Sequence, residues 1–357
     1  MRFLFNFMLA VLLSGQVPAQ APATYYNAAQ NLNGQQLLIA LHQIISDHQA
    51  QTYSEVLSHF QQTDKKSNGK VWDMYSDLPG ATPPYEYDFN ENCGNYNSEG
   101  DCYNREHSWP KSKFNDNMPM YTDLFHLYPT DGYVNGKRSN FPYGEVNNPN
   151  WVSENGSKLG QNSYPGNPGS LAFEPLAAYK GDLARTYFYM STRYYGEDGG
   201  WQNWEMANGA ELKTWAIQML LDWHHNDPVS EKEIARNNAI YIIQENRNPF
   251  IDHPEYADCI WGNTKECSGN SLNEQEAQLA LLIYPNPCRA VVNLSWETIN
   301  RALKIQLFSA QGQLLGLWKP DAHQTTLQLS LDDYASGIYW IRCISESSTR
   351  AQVLIIE

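Results

Sequence analysis

The most informative stretch of this chain is Asn104-Arg105-Glu106-His107-Ser108-Trp109-Pro110, followed by Asp123-Leu-Phe-His-Leu-Tyr-Pro129 and Val134-Asn-Gly136. Glu106 and Asn135 offer oxygen ligands of the kind that Mg²⁺ or Ca²⁺ prefers, and these ions keep several waters and often bind a phosphate oxygen. His107 carries an imidazole that is a neutral base near pH 7. The three side chains predict metal-assisted hydrolysis of a phosphodiester.

The backbone around these residues has to meet one geometric condition. Neighbouring residues of a regular strand point to opposite faces, so Glu106 and His107 face one metal only where the strand is twisted, bulged or at its end. Asp131 is expected to cap a helix that carries Asn135 in its first turns. The predicted order is therefore strand, loop, strand and helix.

Cations and a second histidine complete the predicted site. A positive side chain holds phosphate oxygens by charge-assisted hydrogen bonds, and the candidates near the motif are Arg138, Lys111 and Lys113. His126 lies among apolar and aromatic residues, and we expect it to hold the second strand rather than a metal.

The N-terminal residues have the composition of an export signal. Residues 1–21 have a basic start, an apolar run and small residues suited to cleavage, and they are interpreted as a signal peptide. No later run approaches roughly 18 unbroken apolar residues, so no transmembrane segment is predicted. We expect an exported protein.

Six cysteines fit an exported chain: Cys93, Cys102, Cys259, Cys267, Cys288 and Cys343. An even number in such a protein favours disulfides, although the sequence cannot choose among the connectivities. Our working hypothesis pairs near neighbours, 93 with 102, 259 with 267 and 288 with 343. No CxxC pair is present, which argues against a zinc ribbon.

The net charge of −15 argues against tight, metal-free binding of a polyanion. Its distribution softens that objection, because residues 101–195 carry nine basic and nine acidic side chains. A divalent ion would offset part of the remaining repulsion.

Hydrophobic periodicity divides the chain into a mixed part and an all-β part. Helical spacing appears within residues 35–60, 183–194, 212–220 and 230–243, the last with a capping box at Ser230. A short strand is predicted near Val71–Tyr75, and residues 141–170 are predicted to wrap the site as a long loop. Alternating residues predict strands at 291–296, 304–308, 326–329, 337–342 and 352–356.

The ordered motifs resemble bacterial endonuclease I, a family of the His-Me finger (ββα-metal) class. The resemblance covers roughly residues 30–262 and also includes Val134-Asn-Gly-Lys-Arg-Ser-Asn140, Phe173-Glu-Pro175, Gly181–Met190, Asp227-Pro-Val229 and Asn246–Tyr256. It implies an α+β fold, a His-Me finger nuclease domain with surrounding helices and long loops.

The resemblance also implies roles for single residues. Glu106 and Asn135 would be the metal ligands and His107 the general base, with Mg²⁺ as the ion and Mn²⁺ or Ca²⁺ as alternatives. Family members hold the cleaved phosphate with an arginine in the loop after the histidine, and this chain has none between His107 and Arg138. Structural support is expected from Arg105, His126, Glu174 and Arg185.

The C-terminal part resembles the sorting domain of type IX secretion cargo, through Ile283-Tyr-Pro-Asn-Pro287, Ser336-Gly-Ile-Tyr339 and a final apolar strand. That resemblance implies the type IX machinery as a partner and a secreted or surface-attached protein. A carbohydrate- or partner-binding β-sandwich is the alternative.

These features predict a signal peptide at 1–21, an endonuclease I-like domain at 22–270, a linker at 271–280 and a small C-terminal β-sandwich at 281–357. The predicted function is non-specific cleavage of DNA, and also of RNA, by a monomer. The alternative is a surface-displayed nucleic-acid or partner-binding protein on a catalytically degenerate nuclease scaffold. The sequence contains no HExxH, GxSxG or P-loop motif that would point to another hydrolase class.

Overall fold

The computed structural model describes residues 21–262, 281–296, 304–309, 313–321, 324–344 and 349–357. The chain divides into two compact units, Met1–Asn270 and Ser271–Glu357. Residues 1–20 of the predicted signal peptide and the whole predicted linker lie outside the described residues, and the domain boundaries stay predictions. Within the described ranges, no helix combines the length and apolarity needed to cross a membrane.

The first unit is a mixed helix and strand structure, in agreement with the predicted α+β class. Its helices are α1 (Gly34–Ile45), α2 (Val56–Thr63), α3 (Gly132–Arg138), α4 (Lys180–Arg193), α5 (Thr214–Asn226), α6 (Glu231–Gln244), α7 (Pro249–Asp252) and α8 (Glu255–Trp261). Its strands are β1 (Tyr103–His107), β2 (Leu127–Asp131), β3 (Pro149–Val152), β4 (Lys158–Gln161), β5 (Leu171–Glu174), β6 (Ala207–Asn208) and β7 (Glu211–Leu212).

Helix α4 runs through the core of this unit. The helical spacing within residues 183–194 indicates one buried face, but every residue from Gly181 to Arg193 is buried. A helix that is enclosed on all sides has to satisfy its polar side chains inside the protein. Arg185 does so by donating to both carboxylate oxygens of Glu233, at 2.5 and 2.8 Å.

The same glutamate starts helix α6. Ser230 accepts from the backbone N–H of Glu233, and Glu233 accepts from the backbone N–H of Ser230, so the predicted capping box is confirmed. Glu233 therefore joins the start of α6 to α4.

Strands β1 and β2 form an antiparallel pair that leads directly into α3. His107 lies opposite Leu127 and Tyr103 opposite Asp131, in a regular register. Asp131 caps α3 by accepting from the Val134 N–H at 2.7 Å, as predicted. The predicted order of strand, loop, strand and helix is therefore confirmed, and His107 is the last residue of its strand.

Two predictions of local structure are wrong. Residues 141–170 are not one long loop, because β3, β4 and β5 form an antiparallel sheet whose first turn has Gly156 at φ +96°. No strand forms at Val71–Tyr75, because the Asp73 carboxylate accepts from the N–H groups of Tyr75 and Asp131 and closes a turn instead.

The second unit consists of two sheets around one apolar core. Its strands are β8 (Leu281–Tyr284), β9 (Val291–Trp296), β10 (Lys304–Ser309), β11 (Leu314–Trp318), β12 (Thr326–Ser330), β13 (Gly337–Ile344) and β14 (Thr349–Ile356). One sheet has the order β11-β10-β13-β14 and the other β12-β9-β8. Buried residues from both sheets belong to a single cluster, which is the arrangement of a β-sandwich.

The cysteines follow the predicted pairing only in part. Cys93 and Cys102 form a disulfide. Cys259 is also disulfide-bonded, and Cys267, its predicted partner, lies outside the described residues.

The predicted pair of Cys288 with Cys343 is wrong, since both are free and buried. Cys288 lies beside Ile356 and Cys343 lies opposite Arg350 on β14. Those positions are separated by six residues, or about 20 Å of extended strand, which is far beyond the reach of a disulfide.

Candidate functional site

A cleft of about 290 Å³ opens where β1, α3 and the segment after β1 meet. The three predicted site residues, Glu106, His107 and Asn135, all line it. The remaining lining residues are Arg105, Pro110, Lys111, Gly136, Arg138, Ser139 and Asn140. The structure therefore brings together the residues that the sequence singles out, although they come from different elements.

Glu106 is 2% exposed, and one of its carboxylate oxygens is bound within the fold. Oε1 accepts from the hydroxyls of Tyr75 at 3.0 Å and Tyr143 at 3.4 Å, and Arg138 Nη1 lies 3.0 Å away. Oε2 accepts from no described residue, so it is the oxygen left for the cleft. Burial raises the pKa of Glu106, and the guanidinium of Arg138 opposes that rise.

His107, like Glu106, binds the described part of the fold through only one of its two polar side-chain atoms. Its Nε2 lies 3.1 Å from the backbone oxygen of Tyr121, which can only accept, so Nε2 carries the proton. Nδ1 has no partner among the described residues and is left with a lone pair. Burial lowers the pKa of His107 well below its ordinary value, and the neighbouring His126 lowers it further.

Asn135 lies one turn into α3. Its Nδ2 donates to Asn104 Oδ1 at 2.7 Å and lies 3.4 Å from the backbone oxygen of Arg105. Within the described part of the chain, no donor reaches Oδ1, so the amide leaves its oxygen for the cleft.

The predicted phosphate contacts lie in three different surroundings. Arg138 lines the cleft but is almost fully buried, and its Nη1 donates to the His107 carbonyl at 2.9 Å while Nη2 donates to the Ser108 carbonyl. Lys111 lines the cleft with its side chain 44% exposed and pairs with Asp116 at 3.1 Å. Lys113 lies over the ring of Trp204, 5.6 Å from its centroid, and does not line the cleft.

Two of the residues expected to give structural support lie near the motif. Arg105 stacks on the Tyr53 ring at 3.7 Å and donates to the Tyr53 carbonyl. His126 is fully buried, and its Nε2 donates to the Met120 carbonyl at 2.7 Å. Burial lowers the pKa of His126, so the neutral ring is favoured.

Glu174 and Arg185, the other two expected supports, do not line the cleft. Glu174 pairs with Lys158 and Lys180, while Arg185 pairs with Glu233.

The sequence did not single out the side chains behind the site. Tyr75 and Tyr143 lie in segments without regular structure, and Asn104 was quoted only as the first letter of a motif. Their contacts with Glu106 and Asn135 depend on chain segments that are 31 or more positions apart. Of the three, only Asn104 could have been recognised from the sequence, because it lies two positions before Glu106 and alternation along a strand places both side chains on the same face.

Comparison with known proteins gives two family matches. The family model described as Endonuclease I matches residues 33–255, and the one described as Secretion system C-terminal sorting domain matches residues 282–357. Both resemblances drawn from the sequence are thereby confirmed.

Several curated proteins are similar to this chain along most of its length. An "Extracellular ribonuclease" of Bacillus subtilis (strain 168) is 38% identical over 70% of this chain and 83% of its own length. One of Bacillus amyloliquefaciens is 37% identical over 68% of this chain and 80% of its own length. An "Extracellular deoxyribonuclease" of Aeromonas hydrophila is 24% identical over 70% of this chain and 97% of its own length.

The tail match and the extracellular relatives bear on location. They confirm the prediction of a secreted or cell-surface protein.

Proposed function

The chain belongs to the endonuclease I family, and on that premise we propose that it is a divalent-metal-dependent endonuclease that hydrolyses phosphodiester bonds of both DNA and RNA. Relatives named as ribonucleases and as deoxyribonucleases support a substrate range that does not depend on the sugar. Contacts to the phosphate backbone carry little base information, which fits a non-specific enzyme.

One observation carries the proposal. Glu106, His107 and Asn135 each bind the fold through one heteroatom and leave the other for the same cleft. The free atoms are a carboxylate oxygen, an imidazole nitrogen and an amide oxygen. Two hard oxygens suit an ion such as Mg²⁺, which keeps several waters and takes phosphate oxygens as further ligands.

In the proposed mechanism, His107 Nδ1 takes the proton of the attacking water. The Tyr121 carbonyl keeps the other nitrogen protonated, so the base faces the cleft in one tautomer. Burial lowers the pKa of His107 and so keeps the ring neutral near pH 7, with the lone pair of Nδ1 available. A divalent ion held by Glu106 and Asn135 would supply charge stabilisation for the phosphate and the leaving oxygen. The assignment to the His-Me finger class is part of the same proposal.

The charge around the cleft supports an anionic substrate. Arg105, Lys111 and Arg138 are positive and Glu106 is the one acidic residue among those that line it. This local excess of positive charge contrasts with the net charge of −15 for the whole chain. We propose Lys111 as the phosphate contact, because Arg138 is bound to carbonyl groups and Lys113 lies over Trp204.

The first experiment measures degradation of plasmid DNA and of RNA by the purified mature protein with Mg²⁺ and with EDTA. We expect EDTA to abolish cleavage and His107→Ala to lower the rate by about 10²–10⁴-fold, the usual contribution of a general base. His225→Ala is the matched control, because that histidine side chain is 53% exposed and pairs with Asp258.

Cleavage that survives both EDTA and His107→Ala would overturn the proposal. An in-gel DNA assay that shows no cleavage by the intact protein would favour the alternative of a binding protein on a degenerate nuclease scaffold.

A second experiment tests the phosphate contact. Lys111→Met is expected to raise KM by about fivefold, as for one exposed charge-assisted contact, and to leave kcat nearly unchanged. Lys113→Met, the same change two residues away, is the control. An equal effect of the two substitutions would argue against a specific contact at Lys111.

A further inference from the structure

Asn135 has an amide whose two ends differ in chemistry. Its oxygen can bind a cation, whereas its NH₂ group carries a partial positive charge and donates hydrogen bonds. The orientation of the amide therefore decides whether this residue attracts or repels a metal ion. An isolated asparagine has little preference between the two orientations.

The structure contains a group that fixes this orientation. Asn104 Oδ1 lies 2.7 Å from Asn135 Nδ2, a short and well-formed hydrogen bond. The second acceptor of the same NH₂ group, the Arg105 carbonyl, is 3.4 Å away and holds it less well. The NH₂ end is thus turned toward Asn104, and the oxygen is turned away from it.

The strand explains why Asn104 is in position to do this. Asn104 and Glu106 are two residues apart on β1, so their side chains project from the same face. Asn104 lies opposite Thr130, the residue before the Asp131 cap of α3. Asn135, one turn into that helix, therefore meets Asn104 with one end of its amide and has the other end available on the cleft that Glu106 lines.

We propose that Asn104 is a positioning residue for the metal site. It acts through Asn135, by holding the NH₂ group so that the amide oxygen faces the ion. The inference rests on the proposed function, because it takes Asn135 as a metal ligand. Residues that orient ligands from behind typically contribute 10–100-fold to metal affinity.

The test is isothermal titration of the full chain with Mg²⁺ and with Mn²⁺, in the absence of substrate. Asn104→Leu removes the acceptor at similar size, and it should weaken metal binding by about 10–100-fold. Asn104→Asp keeps an acceptor oxygen, so it should retain or increase the affinity. Asn140→Asp adds the same charge at an exposed position of the cleft and measures the effect of charge alone.

Two further comparisons separate positioning from general loss of structure. Asn104→Leu added to Asn135→Ala should cause no further loss of metal affinity, because the group that Asn104 orients is then absent. The melting temperature of each variant shows whether it is folded. An affinity in Asn104→Leu equal to that of the parent protein, or an additive loss in the double variant, would overturn the inference.

The outcome also distinguishes this inference from the proposed function. If Asn135→Ala itself binds the metal as tightly as the parent protein, the proposed ligand set is wrong. If Asn135→Ala binds weakly while Asn104→Leu does not, the ligand set stands and only the role of Asn104 is wrong.

Discussion

The two units of this protein have cores of different composition. The core around α4 encloses many charged and polar side chains, among them Asp64, Asp123, Arg185 and Arg236. In the described residues of the second unit, the buried side chains are aliphatic residues, one tryptophan and two thiols. The first core adds paired charges and hydrogen bonds to a large apolar cluster, whereas the described core of the second unit depends on apolar packing alone.

The buried polar groups that distinguish the first core lie close to the candidate site. In the first unit, the buried polar groups fix the backbone and side chains around the cleft: Arg138 contacts Glu106 and the carbonyl of His107, and Arg236 donates to the carbonyl of Leu127, opposite His107. A buried ion pair contributes little net stability compared with apolar packing, but removing one partner is costly. We infer that the buried polar groups of the first unit serve to hold defined positions near the cleft rather than to add net stability.

The largest loss of stability is expected when Arg236 is replaced. Its guanidinium lies 2.9 Å from Asp64 and donates to the carbonyls of Leu124 and Leu127 at 2.7 and 2.6 Å. Arg236→Met removes the cation that neutralises the buried Asp64 carboxylate, which among the described residues keeps only the Thr63 hydroxyl as a donor, and it removes the donor to two carbonyls. We therefore expect the free energy of unfolding to fall by about 3–5 kcal/mol. Denaturation of the full chain measures the loss, and hydrogen-exchange mass spectrometry assigns it to a unit.

The same change at an exposed arginine is the control. Arg342 lies on the outer side of β13, and Arg342→Met should change stability by less than about 0.5 kcal/mol. A similar loss in both variants would remove the proposed contrast between the cores.

A somewhat smaller loss of stability is expected from a substitution in the apolar core of the second unit. Leu307 on β10 is fully buried, and Leu307→Ala should cost about 3 kcal/mol through lost apolar contact and a residual cavity. Leu317→Ala on the neighbouring strand β11 is the control, since Leu317 is 49% exposed. Hydrogen exchange should place the loss in the second unit. A loss confined to the first unit would contradict the division into separate cores.

The two cores also differ in how far the sequence predicts them. In the second unit, alternating residues gave the positions of β9, β10, β12, β13 and β14, because a strand with one buried face has a period of two. β11 was missed, since its burial does not alternate. β8 was missed as well, because Leu281-Leu-Ile-Tyr284 is a continuous apolar run without alternation.

In the first unit, the motifs located Glu106, His107 and Asn135, but not the residues that hold them. Tyr75 and Tyr143 are separated by 68 positions and meet only after folding, when both contact Glu106. Arg138 looked like a cation for the substrate because a charged residue near a motif is usually exposed. Burial of such a residue depends on tertiary packing, which no local pattern records.

The protonation of His224 at low pH is expected to lower the free energy of unfolding by about 2 kcal/mol. This histidine is buried; its Nδ1 lies 3.2 Å from Arg185 Nη1, and its Nε2 donates to the Pro254 carbonyl. Burial, with the nearby charge of Arg185, lowers its pKa to about 4. Because the unfolded pKa is about 6.5, the contribution of the neutral ring is complete above that pH and is lost as pH falls toward 4.

The measurement compares the parent protein with His224→Gln. Between pH 7.5 and pH 5, the parent protein should lose about 2 kcal/mol more than the variant, which is 1.5 pKa units at about 1.36 kcal/mol each. Asp73, whose pKa burial raises to about 7, titrates in the opposite sense in both proteins and cancels in the difference. His253→Gln, at a 39% exposed side chain, is the control. Parallel pH curves for parent and His224→Gln would refute the prediction.

The smallest effect is expected from an exposed ion pair in the first unit. Lys111 and Asp116 lie 3.1 Å apart, with side chains 44% and 52% exposed. Water and salt screen such a pair, so Asp116→Asn should lower the free energy of unfolding by less than about 0.5 kcal/mol. The same denaturation experiment at low and at high salt measures it. A loss above about 1 kcal/mol would mean that charge pairing stabilises this unit even where it is exposed, and the large effect expected at Arg236 could then not be ascribed to the burial of its partners.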